Sequence, residues 1–158
     1  MPKDPRSKLL DAVNLQLLSE LQDNPRLPMS ELARRVGMSA PAVTERVQRL
    51  ETAGVIVGYR MDIDPAALGM QVTALVRIRP GPGQLPKITR AAQKTAQVVE
   101  CHRITGEDCL LLKVHAPSIG ELEEVLDQFL LFGQTTTSIV ISTPVAARPL
   151  PLPAAPPD

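Results

Sequence analysis

An α+β fold in two parts is predicted for this 158-residue chain, and three features predict it. Residues 11–54 carry three helical apolar patterns, separated by Asp23-Asn24-Pro25 and by Gly37. From Val72 the period changes, and strand-like alternation interleaves with two further helical stretches. Prolines gather at the end, six of them in the last fifteen residues. Together these predict a winged helix-turn-helix over 9–62, a linker over 63–70 and a ferredoxin-like βαββαβ domain over 71–143. A flexible arm over 1–8 and a Pro-rich disordered tail over 144–158 flank them.

Each element follows from a local signal. Asp11 is expected to cap a first helix whose apolar stripe is Leu10, Val13, Leu17, Leu18 and Leu21. Asp23-Asn24-Pro25 ends it, because the residue before a proline resists the helical conformation. Ser30 is expected to cap a short helix over 31–36 that turns Leu32, Ala33 and Val36 inward. Gly37 supplies the turn, Ser39 caps a third helix from 40 to about 53, and Gly54 stops it. Pro41 is tolerated because the first turn has no intrahelical amide to lose. Val55-Ile56-Val57 and Tyr59 to Ile63, split by Gly58, suggest a small hairpin or wing and an outgoing strand.

In the second half Val72, Ala74, Val76 and Ile78 alternate with Thr73, Leu75, Arg77 and Arg79, the pattern of a half-buried strand. Pro80-Gly81-Pro82-Gly83 breaks it, and a helix follows over about 84–96. Strands over 98–104 and 109–115 join through Thr105-Gly106-Glu107-Asp108. If Ile104 pairs with Cys109 across that turn, Cys101 lies opposite Leu112 and Glu100 opposite Lys113. Ser118 and Glu121 make a capping box for a helix over 119–131, with Leu122, Val125, Leu126, Phe129 and Leu130 as its buried side. A β-branched strand over 135–142 closes the domain.

Composition narrows the function. Phe129, Phe132 and Tyr59 are the only aromatics, so the core must be aliphatic, and a small aliphatic core favours oligomers. Stacking platforms for single-stranded nucleic acid lose their support for the same reason. Net charge is zero, divided weakly as +2 over residues 1–60 and −2 over 61–158. No stretch approaches a membrane span and the start has no apolar signal core, so a cytoplasmic protein with reduced cysteines is expected. No nucleophile–base grouping, phosphate loop or Glu/His metal pair points to an enzyme, and Gly81-Pro82-Gly83 is proline-interrupted. The expected register puts Cys101 and Cys109 on the order of 10 Å apart, too far for a disulfide. It also sends Cys101 to one sheet face and His102 and Cys109 to the other, so with His115 they do not converge on a metal. No metal or cofactor is expected.

The strongest signal is the helix-turn-helix itself, whose second helix enters the major groove of double-stranded DNA. On a wheel Val43, Val47 and Leu50 point inward, while Pro41, Thr44, Glu45 and Gln48 point out. Thr44, Glu45 and Gln48 suit base edges. Arg46 and Arg49 flank the apolar face with heads that can reach phosphates, and Ser39 with the first amides suits another phosphate. A plain three-helix bundle with a solvated face fits the same spacing. An architectural DNA protein without a ligand fits it too.

Leu32-Ala33-Arg34-Arg35-Val36-Gly37-Met38-Ser39, followed by Val43-x-x-Arg46-Val47-x-Arg49-Leu50-Glu51-x-x-Gly54-Val55-Ile56, resembles the Lrp/AsnC (feast/famine) family of prokaryotic regulators. The resemblance continues through Gly58-Tyr59, Asp64-Pro65-x-x-Leu68-Gly69 and Thr105-Gly106-x-Asp108, from about residue 10 to 142. It implies a transcription regulator whose ferredoxin-like domain dimerises through its sheet. It also implies dimers that assemble to an octamer and bind amino acids between them. Asn14 stands where the family usually has Asp, and Cys109 where a larger apolar residue is common. A small amino acid or related metabolite is then expected at the 105–109 turn. Asp108 would meet an ammonium group, Gly106 would allow close approach, Cys109 would adjoin, and Thr136 and Ser138 would supply hydroxyls. A plain hairpin turn uses the same Gly106 and Asp108.

Overall fold

The computed structural model describes residues 4–155. Contacts divide the chain into two units, one running to Met61 and including the chain from Ala147 onward, the other Asp62–Ala146.

In the first unit Asp11 caps α1 (Ala12–Asp23) by accepting from the Asn14 amide at 2.7 Å. α2 (Met29–Val36) begins two residues before the expected start. Pro28, not Ser30, is its N-cap: the fixed ring torsion presets the entry, and the Pro28 carbonyl accepts from the Leu32 amide. Gly37 takes φ +67°, a left-handed turn that side chains disfavour, and leads into α3 (Ala40–Thr52). Leu17, Leu32 and Val43 are fully buried and, with Leu21, Leu27, Ala33 and Val47, form an aliphatic core.

Two stretches depart from expectation. Where a loose arm is expected, Pro5–Leu9 form a 3-10 turn, because Asp4 accepts from the Arg6 amide and pairs with its guanidinium. Residues 1–3 of that arm lie outside the described residues. The wing region, 55–63, forms no β-ladder within the chain. Val57 is 93% exposed and Met61 81%, so no third strand supports a hairpin there. Tyr59 instead donates its hydroxyl to Glu51 Oε1 at 2.9 Å, tying the segment to the last turn of α3.

The second unit is one antiparallel sheet of β1 (Val72–Pro80), β2 (Val98–Arg103), β3 (Leu110–Ala116) and β4 (Gly133–Ile139). Its strand order, β2-β3-β1-β4, with α4 (Leu85–Lys94) and α5 (Ile119–Leu130) as connections, is the ferredoxin-like arrangement. Ala74, Val76, Ile78, Leu112 and Val114 alternate to the inner face and bury against Ile88, Leu122, Val125 and Phe129. The hairpin register is as expected: Cys101 pairs Leu112, Glu100 pairs Lys113, and Ile104 N–H donates to the Cys109 carbonyl at 2.9 Å. A register shift between Val98 and Glu100 is new.

Ser118 caps α5 through the Glu121 amide at 3.2 Å. Leu130 is 55% exposed rather than buried, since Phe129 already fills the inward position of that last turn. β4 starts two residues early and stops before Ile141. A Cβ at position 133 would overlap the Arg79 carbonyl oxygen, so glycine lets β4 reach β1 there. The tail has no helix or strand over 144–155, yet Gln22 Nε2 donates to the Leu150 carbonyl at 3.2 Å. Residues 156–158 lie outside the described residues.

Candidate nucleic-acid interface and effector pocket

Val43, Val47 and Leu50 of α3 are buried, and helical spacing leaves Pro41, Glu45, Gln48 and Arg49 exposed on the far side. Thr44 is half-buried, and its hydroxyl donates to the Ala40 carbonyl at 2.9 Å, which leaves its oxygen as an acceptor. Ser39 stands exposed at the N-cap with no side-chain bond to the helix, although capping was expected of it. Its free hydroxyl beside the helix start suits an anion.

The two flanking arginines differ. Arg49 is exposed. Arg46 Nη1 donates to Asp11 Oδ2 at 2.8 Å and to Asn14 Oδ1 at 3.0 Å, so its head is held by α1 and its N-cap. On α2 the basic pair is also engaged. Arg34 and Arg35 both bond Glu31 and hold its carboxyl down at about 2, and Arg35 reaches Glu20 on α1 as well.

Beside α3, sequence reasoning missed Lys8. It is exposed, and with Arg49, Arg46 and Glu45 it lines a polar groove of about 340 Å³ beside α3. The only signal was a basic residue within a segment read as loose arm.

At the sheet end, Gly106 and Asp108 share a pocket of about 330 Å³ with Arg77 and Arg79. Gly106 has φ +108°, and an added Cβ would meet no atom within 4 Å, so the space above it is open. Arg79 pairs with Asp108 Oδ1 at 3.2 Å and with Glu107 Oε2 at 2.8 Å. Thr136 pairs Arg77 and Ser138 pairs Leu75, both hydroxyls on exposed positions of β4. Neither lines the pocket. Cys109 does not adjoin it either, because it precedes β3 and packs, half-buried, against the core. Sequence reasoning missed both arginines, since only the pairing of β1 with β3 brings them to the turn.

Two family models together match most of the chain. Residues 10–57 match the winged helix-turn-helix DNA-binding domain, and residues 73–150 match the Lrp/AsnC ligand binding domain. The HTH-type transcriptional regulator LrpC of Bacillus subtilis is 32% identical over 133 residues, which are 84% of this chain and 92% of that one. The chain belongs to the Lrp/AsnC family.

Two solved members share the fold of this Lrp/AsnC protein. The structure of Bacillus subtilis LrpC has a TM-score of 0.82 at 31% identity, covering 87% of this chain and 99% of that one. The feast or famine regulatory protein of Mycobacterium tuberculosis, complexed with L-methionine, has a TM-score of 0.83 at 33% identity, covering 89% and 98%. Such relatives are transcriptional regulators, not enzymes. No helix among the described residues is long and apolar enough to cross a membrane.

Proposed function

We propose that this cytoplasmic regulator reads operator DNA through α3 and responds to an amino acid or related small metabolite at the 105–109 turn. One observation carries the DNA reading: α3 buries its whole apolar stripe and leaves Pro41, Glu45, Gln48 and Arg49 to solvent. Glu45, Gln48 and Thr44 have the donors and acceptors for base edges, and Arg49 and Ser39 suit phosphates. Gel-shift titration at several salt concentrations tests it. Gln48→Ala is expected to cost about 1–3 kcal/mol on the preferred duplex and to relax specificity. Equal affinity of the wild type for every duplex would refute it.

For the effector, the arginines sharpen the chemistry. A zwitterion has a carboxylate for Arg77 or Arg79 and an ammonium for Asp108, so it can replace the Arg79–Asp108 pair at both ends. The L-methionine held by the Mycobacterium tuberculosis relative supports this ligand class. Calorimetry against the amino acids is expected to give binding that Asp108→Ala removes. Binding that survives the substitution would put the site elsewhere.

The same protein is proposed to form a homodimer through the outer sheet face and, from it, an octamer. Leu75 is 39% exposed there, with Ile104 and Leu111 half-buried among polar neighbours. Thr136 and Ser138 lie on that face, where a second subunit would bring hydroxyls to a ligand.

A further inference from the structure

A recognition helix reads a groove only when its pose is fixed, and one polar cluster in the first unit ties α3 to α1. Asn14 is only 5% exposed, yet its polar groups are all engaged. Its amide N–H donates to Asp11 Oδ1 at 2.7 Å, and its Nδ2 donates to the Leu9 carbonyl at 2.7 Å. Its Oδ1 accepts from Arg46 Nη1 at 3.0 Å, and the same Nη1 donates to Asp11 Oδ2 at 2.8 Å. The Asn14 side chain therefore joins the end of the 3-10 turn to the middle of α3, and the cap of α1 shares the Arg46 guanidinium with it.

The chemistry of the cluster is specific. Position 14 needs a donor toward Leu9 and an acceptor toward Arg46, and an amide supplies both, while a carboxylate lacks the donor. Burial opposes ionisation of Asp11, but the Arg46 guanidinium and the amides of Asn14 and Val13 outweigh it, so its carboxyl titrates below its ordinary value. The Arg46–Asp11 pair is exposed and by itself worth little, but the Arg46–Asn14 bond beside it is charge-assisted and part-buried, so the two together hold the guanidinium.

We propose that Arg46 is a positioning residue: Asp11 and Asn14 clamp its guanidinium so that it sets the pose of α3, while Arg49 carries the phosphate contact. The proposal rests on the DNA reading above. Exposed Arg49 ends in solvent on the outward side, whereas the Arg46 head turns back to α1.

The test is a salt titration of the full chain on its preferred duplex, with thermal melting to establish that each variant is folded. Asp11→Asn keeps an acceptor for the Asn14 amide but removes the charge that anchors Arg46. Positioning predicts binding about tenfold weaker at every salt concentration, with the salt slope unchanged. A phosphate role for Arg46 predicts the opposite sign, because a released guanidinium and one fewer negative charge would tighten binding. Arg46→Met is likewise expected to weaken binding at constant slope, whereas Arg49→Ala makes the slope shallower by about one unit. Arg46→Lys keeps a cationic donor for Asp11 and is expected to recover part of the loss. Unchanged or tighter binding by Asp11→Asn overturns the proposal, as does a slope for Arg46→Met as shallow as that of Arg49→Ala. A wild type that prefers no duplex fails the DNA reading itself, and the wild-type titration alone tells the two failures apart.

Discussion

The helix-turn-helix unit finishes its core within one chain, whereas the sheet of the second unit finishes only one of its two faces. In the first, Val43, Val47 and Leu50 are buried, and what α3 leaves outside is polar apart from Pro41. In the second, the inner face is filled by Val76, Ile78, Leu112 and Phe129, but the outer face keeps Leu75 39% exposed. Exposed Ile139 extends the apolar surface of that unit. A polar outer surface can wait in water for DNA, while an apolar sheet face lowers its free energy by meeting another apolar face. The difference separates a surface built for a charged partner from one suited to a second copy.

The largest expected effect tests the closed side of that comparison. Phe129 is fully buried in a core with no other fully buried aromatic, so Phe129→Ala should cost about 3–5 kcal/mol. Calorimetric melting would show it as a large drop in the transition of the second unit. A cost near zero would mean that Phe129 does not sit in a packed core.

The next tests the open side. Leu75→Glu places a carboxylate where the subunit interface is proposed, and an unpaired charge on a buried face should weaken self-association on the order of a hundredfold. Sedimentation would then show monomers at concentrations where the wild type is dimeric. Circular dichroism should stay unchanged, because Leu75 is not part of the buried core. Undiminished dimerisation would move the interface to another face.

The smallest effect sits on the same face. Burial and then the Lys113 charge lower the His115 pKa from its ordinary value, with Glu100 partly opposing. The unfolded chain then takes up this proton at a higher pH than the folded one. Stability from this group is complete above about 6.5 and declines as pH falls below that value through the lowered pKa. His115→Gln should flatten the decline in a melting series from pH 7.5 to 5, by a small amount because the ring is partly solvated. His115 Nδ1 also lies 2.9 Å from Thr73 Oγ1. A decline of equal size in the variant would assign the effect to another group.

Much of this fold was legible in local patterns. Asp11 before an apolar stripe gave the cap of α1, Ser118 three residues before Glu121 gave the start of α5, and the four-residue turn after Ile104 set the Cys101–Leu112 register. Pro28 was harder, because a serine two residues later offered an equally good local signal, and only the Leu32–Pro28 bond distinguishes them. The wing stretch carries apolar residues with strand preference, but without a partner strand that preference does not become a ladder.

Periods, the Asp11 and Ser118 caps and the hairpin register were determined by the sequence alone, because each depends on residues close together along the chain. Which charges stay available for a ligand was decided only by the tertiary structure. Arg46 and Arg49 are equivalent basic residues in sequence, yet Arg46 bonds Asp11, 35 positions away. Arg79 likewise bonds Asp108, 29 positions away, and so enters the pocket proposed for the effector. Coulomb attraction and hydrogen bonding act over a few ångströms in space, so such pairs exist only once packing has brought distant segments together.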